Sequence, residues 1–262
     1  MEKYILSTDQ VKIHYKETGK GDVTLVFVHG WLGNTNWWNR QEAYFKEKYS
    51  IVQIDLGGHG KSEKSRQNWS GKQYADDIKA VVNQLDSSEI ILVGHSMSGA
   101  YVLEASINLP KIKAIIIVDT LKDLDQDFTP EQAEEFMFKD FRKDFKLAVE
   151  DILPQYLFVE ETPLLIKNQL QNEFLQNESE LAINALEPLY KMDVRKMAKL
   201  VEVPVRAINS DALITNIENN QKYFKDYQCR IITETGHYPM LEKPEEFNII
   251  FNQLIEELNV NN

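Results

Sequence analysis

One short stretch constrains the fold of this chain more than any other. An apolar run at residues 90–93 ends at Gly94, and Ser96 follows two residues later. Small residues come next, and then the amphipathic run 101–109, which ends at Pro110. The pattern predicts a buried strand, a tight turn and a helix. A serine at the apex of such a turn has strained backbone angles and small neighbours, and its hydroxyl stands above the end of the strand.

Other strands and helices alternate with this unit along the chain. Nearly continuous apolar runs are typical of strands that are buried on both faces of a parallel sheet. Such strands are predicted at residues 23–28, 50–54, 90–93, 114–118, 204–208 and 229–232, after an N-terminal hairpin at 4–15. Helices are predicted between them, for example at 73–85. The alternation predicts an α/β fold with a doubly wound, mostly parallel β-sheet and helices on both faces.

The alternation is interrupted between residues 121 and 201. Only helical patterns occur there, at residues 131–151, 162–176, 179–190 and 193–199. We therefore expect a core made of residues 1–120 and 202–262, with a helical insertion at 121–201. The insertion is rich in phenylalanine and tyrosine, and we expect most of these rings to pack on one another while a few line an apolar pocket.

The turn at Ser96 resembles the nucleophile elbow, G-x-S-x-G, of the α/β-hydrolase family. The chain reads GHSMS over residues 94–98, so Ser98 stands at the second glycine position, and we expect the turn to form with a tighter fit. The resemblance implies that Ser96 is a nucleophile. The amide of Met97 would then point at the position of an oxyanion. The alternative is an ordinary strand-to-helix turn that carries a serine by chance.

Further segments resemble the same family, in family order. The segment HGWLG at 29–33 is similar to its oxyanion loop, in which the amide of Trp31 would be the second donor. The segment 55–62 resembles its D-x-x-G-x-G-x-S turn and lacks the spacing of a phosphate-binding loop. The helical insertion is similar to the cap of capped members. The resemblance therefore covers nearly the whole chain.

The segment TGHYPMLEKP at 235–244 resembles the family loop G-H-x-x-x-x-E-x-P. That loop carries the catalytic histidine over the carboxyl edge of the sheet. The resemblance implies that His237 is the base that accepts the proton of Ser96. The resemblance implies a structural role for His29, which would hold its loop by side-chain hydrogen bonds. Structural or pocket-edge roles are expected for His59 and His95, and His14 is expected to be an ordinary strand residue.

Two aspartates compete for the position of the acid that orients the histidine. Asp211 follows the strand 204–208, which is the commonest family position, and keeps the order Ser, Asp, His. A gap-free match to the family would place Leu213 there, and a loop that is two residues shorter restores Asp211. Asp119 ends the strand before the insertion, where some haloalkane dehalogenases of this fold keep their acid, and it also suits a structural role. We prefer Asp211 and keep Asp119 as the alternative acid.

Composition limits the classes of binding partner and the cellular compartment that we expect for this protein. The formal net charge of −12 argues against nucleic acid and anionic membrane surfaces as partners. Cys229 is the one cysteine, which rules out an internal disulfide and fits a reducing compartment. The sequence shows no signal-peptide pattern and no run of membrane-spanning length, so we expect a cytoplasmic protein. Its His, Cys, Asp and Glu residues show no metal-ligand spacing.

The resemblance implies a capped serine hydrolase or esterase of the haloperoxidase-like branch, acting without a cofactor or a metal. Its substrate would be a small to medium, largely apolar carboxylic ester, cleaved through an acyl-enzyme. The same triad supports perhydrolysis, C–C bond hydrolysis and hydroxynitrile lyase chemistry, because pocket shape decides among these reactions. A ligand-sensing, hydrolase-like protein with slow turnover is an alternative of another class. A haloalkane dehalogenase is not expected, since its nucleophile is an aspartate. The sequence leaves the substrate and the oligomeric state open.

Overall fold

The computed structural model describes residues 1–126 and 128–260, except for the side chains of residues 259 and 260. Eight strands of this part form one sheet: β1 (Glu2–Leu6), β2 (Lys12–Gly19), β3 (Val23–Val28), β4 (Ser50–Asp55), β5 (Glu89–His95), β6 (Ile112–Val118), β7 (Val205–Ser210) and β8 (Tyr227–Ile232). Their order is β1-β2-β4-β3-β5-β6-β7-β8. Strand β2 is antiparallel to β1 and β4, and every other pairing is parallel. The predicted fold class is confirmed.

Helices follow most of the strands. In chain order they are α1 (Asn39–Phe45), α2 (Gly71–Gln84), α3 (Met97–Ser106), α4 (Pro130–Ala133), α5 (Lys139–Lys143), α6 (Phe145–Leu147), α7 (Pro154–Leu157), α8 (Leu164–Phe174), α9 (Ser179–Tyr190), α10 (Val194–Leu200), α11 (Ile217–Gln221), α12 (Pro239–Glu242) and α13 (Pro244–Val260). Helix α2 packs on α3, and α1 packs on α13. None of the helices in the described ranges is both long and apolar enough to cross a bilayer.

The apolar runs of the sequence become the core of the sheet. In β3, for example, the ring of Phe27 packs on Trp38 and Phe251, with ring centroids 5.0 and 5.7 Å apart. All three side chains are buried, and burial contributes roughly 1.5–3 kcal/mol for a side chain of this size. Such packing fixes the sheet, and with it the positions of the loops at the carboxyl ends of the parallel strands.

Between β6 and β7 the described residues form helices and no strand. The run predicted as one helix at 131–151 is instead broken into short helices with π-helical segments at Glu134–Phe138 and Ala148–Ile152. The break occurs at Asp144, whose backbone is extended and whose side chain accepts a 3.0 Å hydrogen bond from the amide of Leu147. Asp144 therefore ends one helix and caps the next, as aspartate does at helix N-termini.

Candidate active site

Ser96 lies at the turn between β5 and α3, with backbone angles φ +54° and ψ −122°. Such angles are strained for a residue with a side chain and cost on the order of 1–3 kcal/mol. The turn is also crowded. A Cβ atom on Gly94 would lie 2.5 Å from the carbonyl oxygen of Ser98, and one on Gly99 would lie 2.3 Å from the methyl group of Thr120. The small residues around the serine are thus required by close packing.

Ser98 fills the position that is glycine in the family pattern, and the predicted turn forms around it. The side chain is fully buried, and its Oγ donates a hydrogen bond to the carbonyl oxygen of His29. A glycine could not make this bond. The hydroxyl of Ser98 therefore joins the start of α3 to the loop that follows β3.

His237 lies in the loop between β8 and α12 and faces the turn at Ser96. Its Nε2 is 2.8 Å from Oγ of Ser96. The carboxylate of Glu242 binds the backbone on both sides of the histidine, since Oε2 accepts from the amide of Gly236 at 2.9 Å and Oε1 from the amide of Tyr238 at 3.0 Å. Glu242 thus holds the loop in the conformation that directs the imidazole towards the serine.

The helical insertion also contacts this loop. The amide of His237 donates to the carbonyl oxygen of Leu157 at 2.8 Å, and the hydroxyl of Thr162 donates to Oε2 of Glu242 at 2.6 Å. A Cβ atom at Gly236 would lie 2.4 Å from the same carbonyl oxygen of Leu157, so only glycine allows this approach. The position of His237 therefore depends on the insertion as well as on the sheet.

Asp119 completes a chain of hydrogen bonds with the histidine and the serine. Its Oδ2 is 2.7 Å from Nδ1 of His237, and its Oδ1 accepts from the amide of Ser210 at 2.7 Å. Nζ of Lys122 lies 2.8 Å from the same Oδ1. Burial alone would raise the pKa of the Asp119 carboxyl, but the hydrogen bonds and charges of His237 and Lys122 hold that pKa well below its ordinary value. Asp119 is therefore an anion next to the imidazole.

Asp211, the acid that the sequence favoured, is not the residue beside His237. Strand β7 ends at Ser210, and Asp211 begins an exposed loop, where its amide donates to the carbonyl oxygen of Ile232 at 3.2 Å. Leu213, at the gap-free family position, is 66% exposed. The order of preference between the two aspartates is thereby reversed. The carboxyl ends of β6 and β7 are neighbours at one sheet edge, so either strand can present an acid to the histidine.

Trp31 and Met97, the predicted oxyanion donors, lie on the two segments that meet at Ser96. Met97 is the first residue of α3, and the first amides of a helix have no carbonyl partner within it. The loop of Trp31 is brought close by Gly30, at which a Cβ atom would lie only 3.0 Å from Cβ of Ser96. The indole Nε1 of Trp31 donates to the carbonyl oxygen of Ala182 at 2.7 Å, which fixes the loop against the insertion.

Two buried histidines stabilise the surroundings of the site. Nδ1 of His29 is 2.7 Å from the carbonyl oxygen of Gly30, and its Nε2 accepts from the amide of Leu56 at 3.1 Å. Nε2 of His95 lies 2.8 Å from the carbonyl oxygen of His237. Burial lowers the pKa of His29, and burial together with the nearby His237 lowers the pKa of His95 to about 3. Both rings are neutral near pH 7 and serve as hydrogen-bonding supports.

Sequence reasoning missed the roles of Glu242 and Lys122. Glu242 stands at the glutamate of the G-H-x-x-x-x-E-x-P pattern, so the pattern could have indicated that it holds the loop. Lys122 lies three residues after Asp119, and no motif distinguishes it. In the parts of the chain that the structure describes, no group of three or more His, Cys, Asp or Glu residues could hold a metal ion.

Comparison with known proteins agrees with this architecture. Residues 23–244 match the family model of the alpha/beta hydrolase fold. The bifunctional esterase/perhydrolase DCH of Acinetobacter calcoaceticus is 38% identical over 122 residues, which are 44% of this chain and 43% of that protein. The 3-oxoadipate enol-lactonase 2 of Acinetobacter baylyi is 22% identical over 266 residues, with 98% of each chain covered. A solved esterase from Exiguobacterium antarcticum superimposes with a TM-score of 0.85 at 21% identity, covering 99% of this chain and 100% of that one.

Proposed function

The chain belongs to the α/β-hydrolase fold family, and from this premise we propose that it is a serine hydrolase that cleaves carboxylic esters. The observation that carries the proposal is the chain of hydrogen bonds from Ser96 through His237 to Asp119, with distances of 2.8 and 2.7 Å. A serine, an imidazole and a buried carboxylate in this order form the arrangement that activates a hydroxyl for attack.

The reaction proceeds through an acyl-enzyme. Oγ of Ser96 attacks the ester carbonyl carbon while Nε2 of His237 accepts the hydroxyl proton. The C–O bond to the leaving group then breaks, and the leaving alkoxide takes that proton from the imidazolium. Water attacks the acyl-enzyme with His237 again as the base, the acid product leaves, and the proton returns to Ser96. The reaction consumes only the ester and one water molecule, and it needs no cofactor.

Asp119 is the acid of the proposed triad. As a buried anion it stabilises the imidazolium that forms during attack, and its Oδ2 selects the tautomer with the proton on Nδ1. Asp211 has no part in the mechanism. The amides of Met97 and Trp31 are the proposed donors to the oxyanion, and the contact of Trp31 with the insertion keeps one of them in place.

Residues 121–201 are proposed to act as a cap on a core of residues 1–120 and 202–262. Two contacts support this role, because Ala182 binds the side chain of Trp31 and Leu157 binds the amide of His237. The cap also packs on the loop of Trp31, since the buried ring of Phe141 stacks on the indole with ring centroids 5.4 Å apart. We propose a small to medium, largely apolar ester as the substrate, in keeping with the many aromatic residues of the cap.

A fluorophosphonate probe tests the activated serine without knowledge of the substrate. We expect the native protein to be labelled and the variants Ser96→Ala and His237→Ala to remain unlabelled. Asp119→Asn should be labelled much more slowly, and Asp211→Asn at the native rate, as a matched substitution outside the triad. A folded native protein that fails to react would contradict the proposal and favour a role in ligand sensing.

Substrate class is then tested with p-nitrophenyl esters of increasing acyl length and with lactones. Lactones are included because the relative that matches over 98% of this chain is named an enol-lactonase. Sustained turnover that is highest with apolar acyl groups would support the proposal. A further assay measures peracid formation from hydrogen peroxide and carboxylic acids with the same acyl groups. It would show whether the site also carries out perhydrolysis, an activity named for the relative from Acinetobacter calcoaceticus.

A further inference from the structure

Lys122 places an ammonium group next to the acid of the proposed triad. Its side chain is 12% exposed, and Nζ lies 2.8 Å from Oδ1 of Asp119. Nζ also donates to Oγ of Ser210 at 3.0 Å, to the carbonyl oxygen of Ser210 at 3.2 Å and to that of Leu213 at 3.4 Å. One ammonium group thus connects the residues that follow β6 with the end of β7.

The two oxygens of the Asp119 carboxylate have different partners. Oδ1 accepts from Lys122 and from the amide of Ser210, whereas Oδ2 is paired with His237. Two donors on one oxygen fix the rotation of the carboxyl group, so Oδ2 is held towards the imidazole. The positive charge of Lys122 also lies within two hydrogen bonds of the imidazole ring.

We propose that Lys122 is a positioning residue that holds Oδ2 of Asp119 against His237 and, by its charge, lowers the pH at which His237 becomes protonated. The inference rests on the proposed function, in which only the neutral imidazole can accept the proton of Ser96. A cation that shares the carboxylate with the imidazole disfavours the imidazolium, because like charges repel and the carboxylate is partly neutralised. The proposed enzyme therefore stays active at lower pH than it would without Lys122.

Other titratable groups also face His237. His95 packs against the imidazole with ring centroids 4.9 Å apart, and burial together with His237 lowers its pKa to about 3. Tyr238 is adjacent in the loop, and burial raises its pKa well above the ordinary value. Glu242 binds the backbone amides on either side of the histidine. Asp119, by contrast, contacts the ring itself, and Lys122 contacts the carboxylate of Asp119.

The test compares Lys122→Gln, Lys122→Met and Lys122→Arg with the native protein. Glutamine keeps a hydrogen-bond donor but not the charge, methionine keeps neither, and arginine keeps both. Lys113→Met is the matched control, because Lys113 lies near the start of β6 and pairs with Glu89, at the opposite end of the strand from Asp119. Two readouts are taken between pH 4 and 9: the rate of fluorophosphonate labelling, and the NMR titration of the His237 ring, which is assigned by its loss in His237→Ala.

Removal of the charge should move the midpoint of the His237 titration and the acid limb of the labelling profile upward in Lys122→Gln. Lys122→Met should show the same shift with a lower plateau, since Oδ1 loses a donor. Lys122→Arg and Lys113→Met should keep the native midpoint. A merely structural role would lower the plateau or the stability and leave the midpoint unchanged.

Native midpoints in folded Lys122→Gln would overturn the inference, and so would a shift in Lys113→Met equal to that in Lys122→Gln. The two readouts separate this outcome from a failure of the proposed function. If the NMR midpoint rises but no variant and no native protein is labelled, Lys122 acts as inferred and the hydrolase proposal fails. If labelling requires Ser96 but no midpoint moves, the hydrolase proposal stands and the inference about Lys122 fails.

Discussion

Replacement of Asp119 by asparagine should affect the proposed chemistry more than its small change in shape suggests. Two donors, the amide of Ser210 and the ammonium of Lys122, point at Oδ1 of the carboxylate. The single oxygen of the asparagine side chain must turn towards these donors, because its NH2 group would otherwise face two other donors. The NH2 group is then directed at Nδ1 of His237.

This orientation selects the wrong tautomer of the histidine. Nδ1 must accept from the asparagine, so the ring proton moves to Nε2, the nitrogen that lies 2.8 Å from Oγ of Ser96. A protonated Nε2 cannot accept the proton of the serine. In serine proteases with the same arrangement the corresponding change lowers kcat by about 10⁴. We expect a loss of roughly 10³- to 10⁴-fold here, which corresponds to about 4–5.5 kcal/mol of transition-state stabilisation.

The assay is kcat/KM for a p-nitrophenyl ester together with the rate of fluorophosphonate labelling, measured in Asp119→Asn, Asp211→Asn and the native protein. Thermal unfolding of each variant shows whether a loss of activity reflects a loss of folded protein. Asp211→Asn should stay within about twofold of the native values, because surface substitutions away from a site change little. A folded Asp119→Asn protein that keeps more than a tenth of the activity would refute this reasoning, as would a large loss in Asp211→Asn alone.

Three further outcomes follow from the same contacts. Ser98→Gly leaves the buried carbonyl oxygen of His29 without its donor, and should lower the free energy of unfolding in urea by about 1–3 kcal/mol. Glu242→Gln replaces one of two accepting oxygens by a donor, so kcat should fall by at least tenfold. Thr162→Val removes only one hydrogen bond to that carboxylate and should lower kcat only a few-fold. Because the folded protein lowers the pKa of Asp119, this group stabilises the fold fully above its unfolded value of about 3.9, and the stabilisation is lost as pH falls below that value. The difference in unfolding free energy between the native protein and Asp119→Asn should therefore shrink from pH 6 to pH 2.5, and a constant difference would contradict the low pKa.

Much of the architecture could be predicted from the sequence, because strand and helix patterns are local. Apolar runs of strand length and amphipathic runs of helix length alternate along the chain, and each such pattern depends on residues close together in sequence. The turn at Ser96 was predictable in the same way, since strained backbone angles and crowding demand small neighbours within a few residues. Even there the structure added a contact, the hydrogen bond from Ser98 to His29, which lies 69 residues away.

The broken helix after the start of the insertion shows where apolar spacing by itself fails. Apolar spacing predicted one helix at 131–151, and that spacing is compatible with α-helix throughout. The side chain of Asp144 instead caps a new helix, and two segments adopt π-helical hydrogen bonding. The cap of Asp144 is itself a local signal, because an aspartate can accept from the amide three residues later, but apolar spacing does not record it.

The choice between the two candidate acids shows most clearly what the sequence by itself determined and what it left to the tertiary structure. Motifs on single segments marked Ser96 and His237, 141 residues apart, and the fold brings them within hydrogen-bonding distance. Asp119 and Asp211 each follow a parallel strand, and the carboxyl ends of β6 and β7 lie side by side, so both aspartates satisfied the sequence pattern. Only the packed structure distinguishes them, because it buries one carboxylate among three donors and leaves the other in an exposed loop. The sequence alone thus determined which strands could carry the acid, whereas burial and hydrogen bonding between distant segments, which no local pattern records, decided which carboxylate lies against the imidazole.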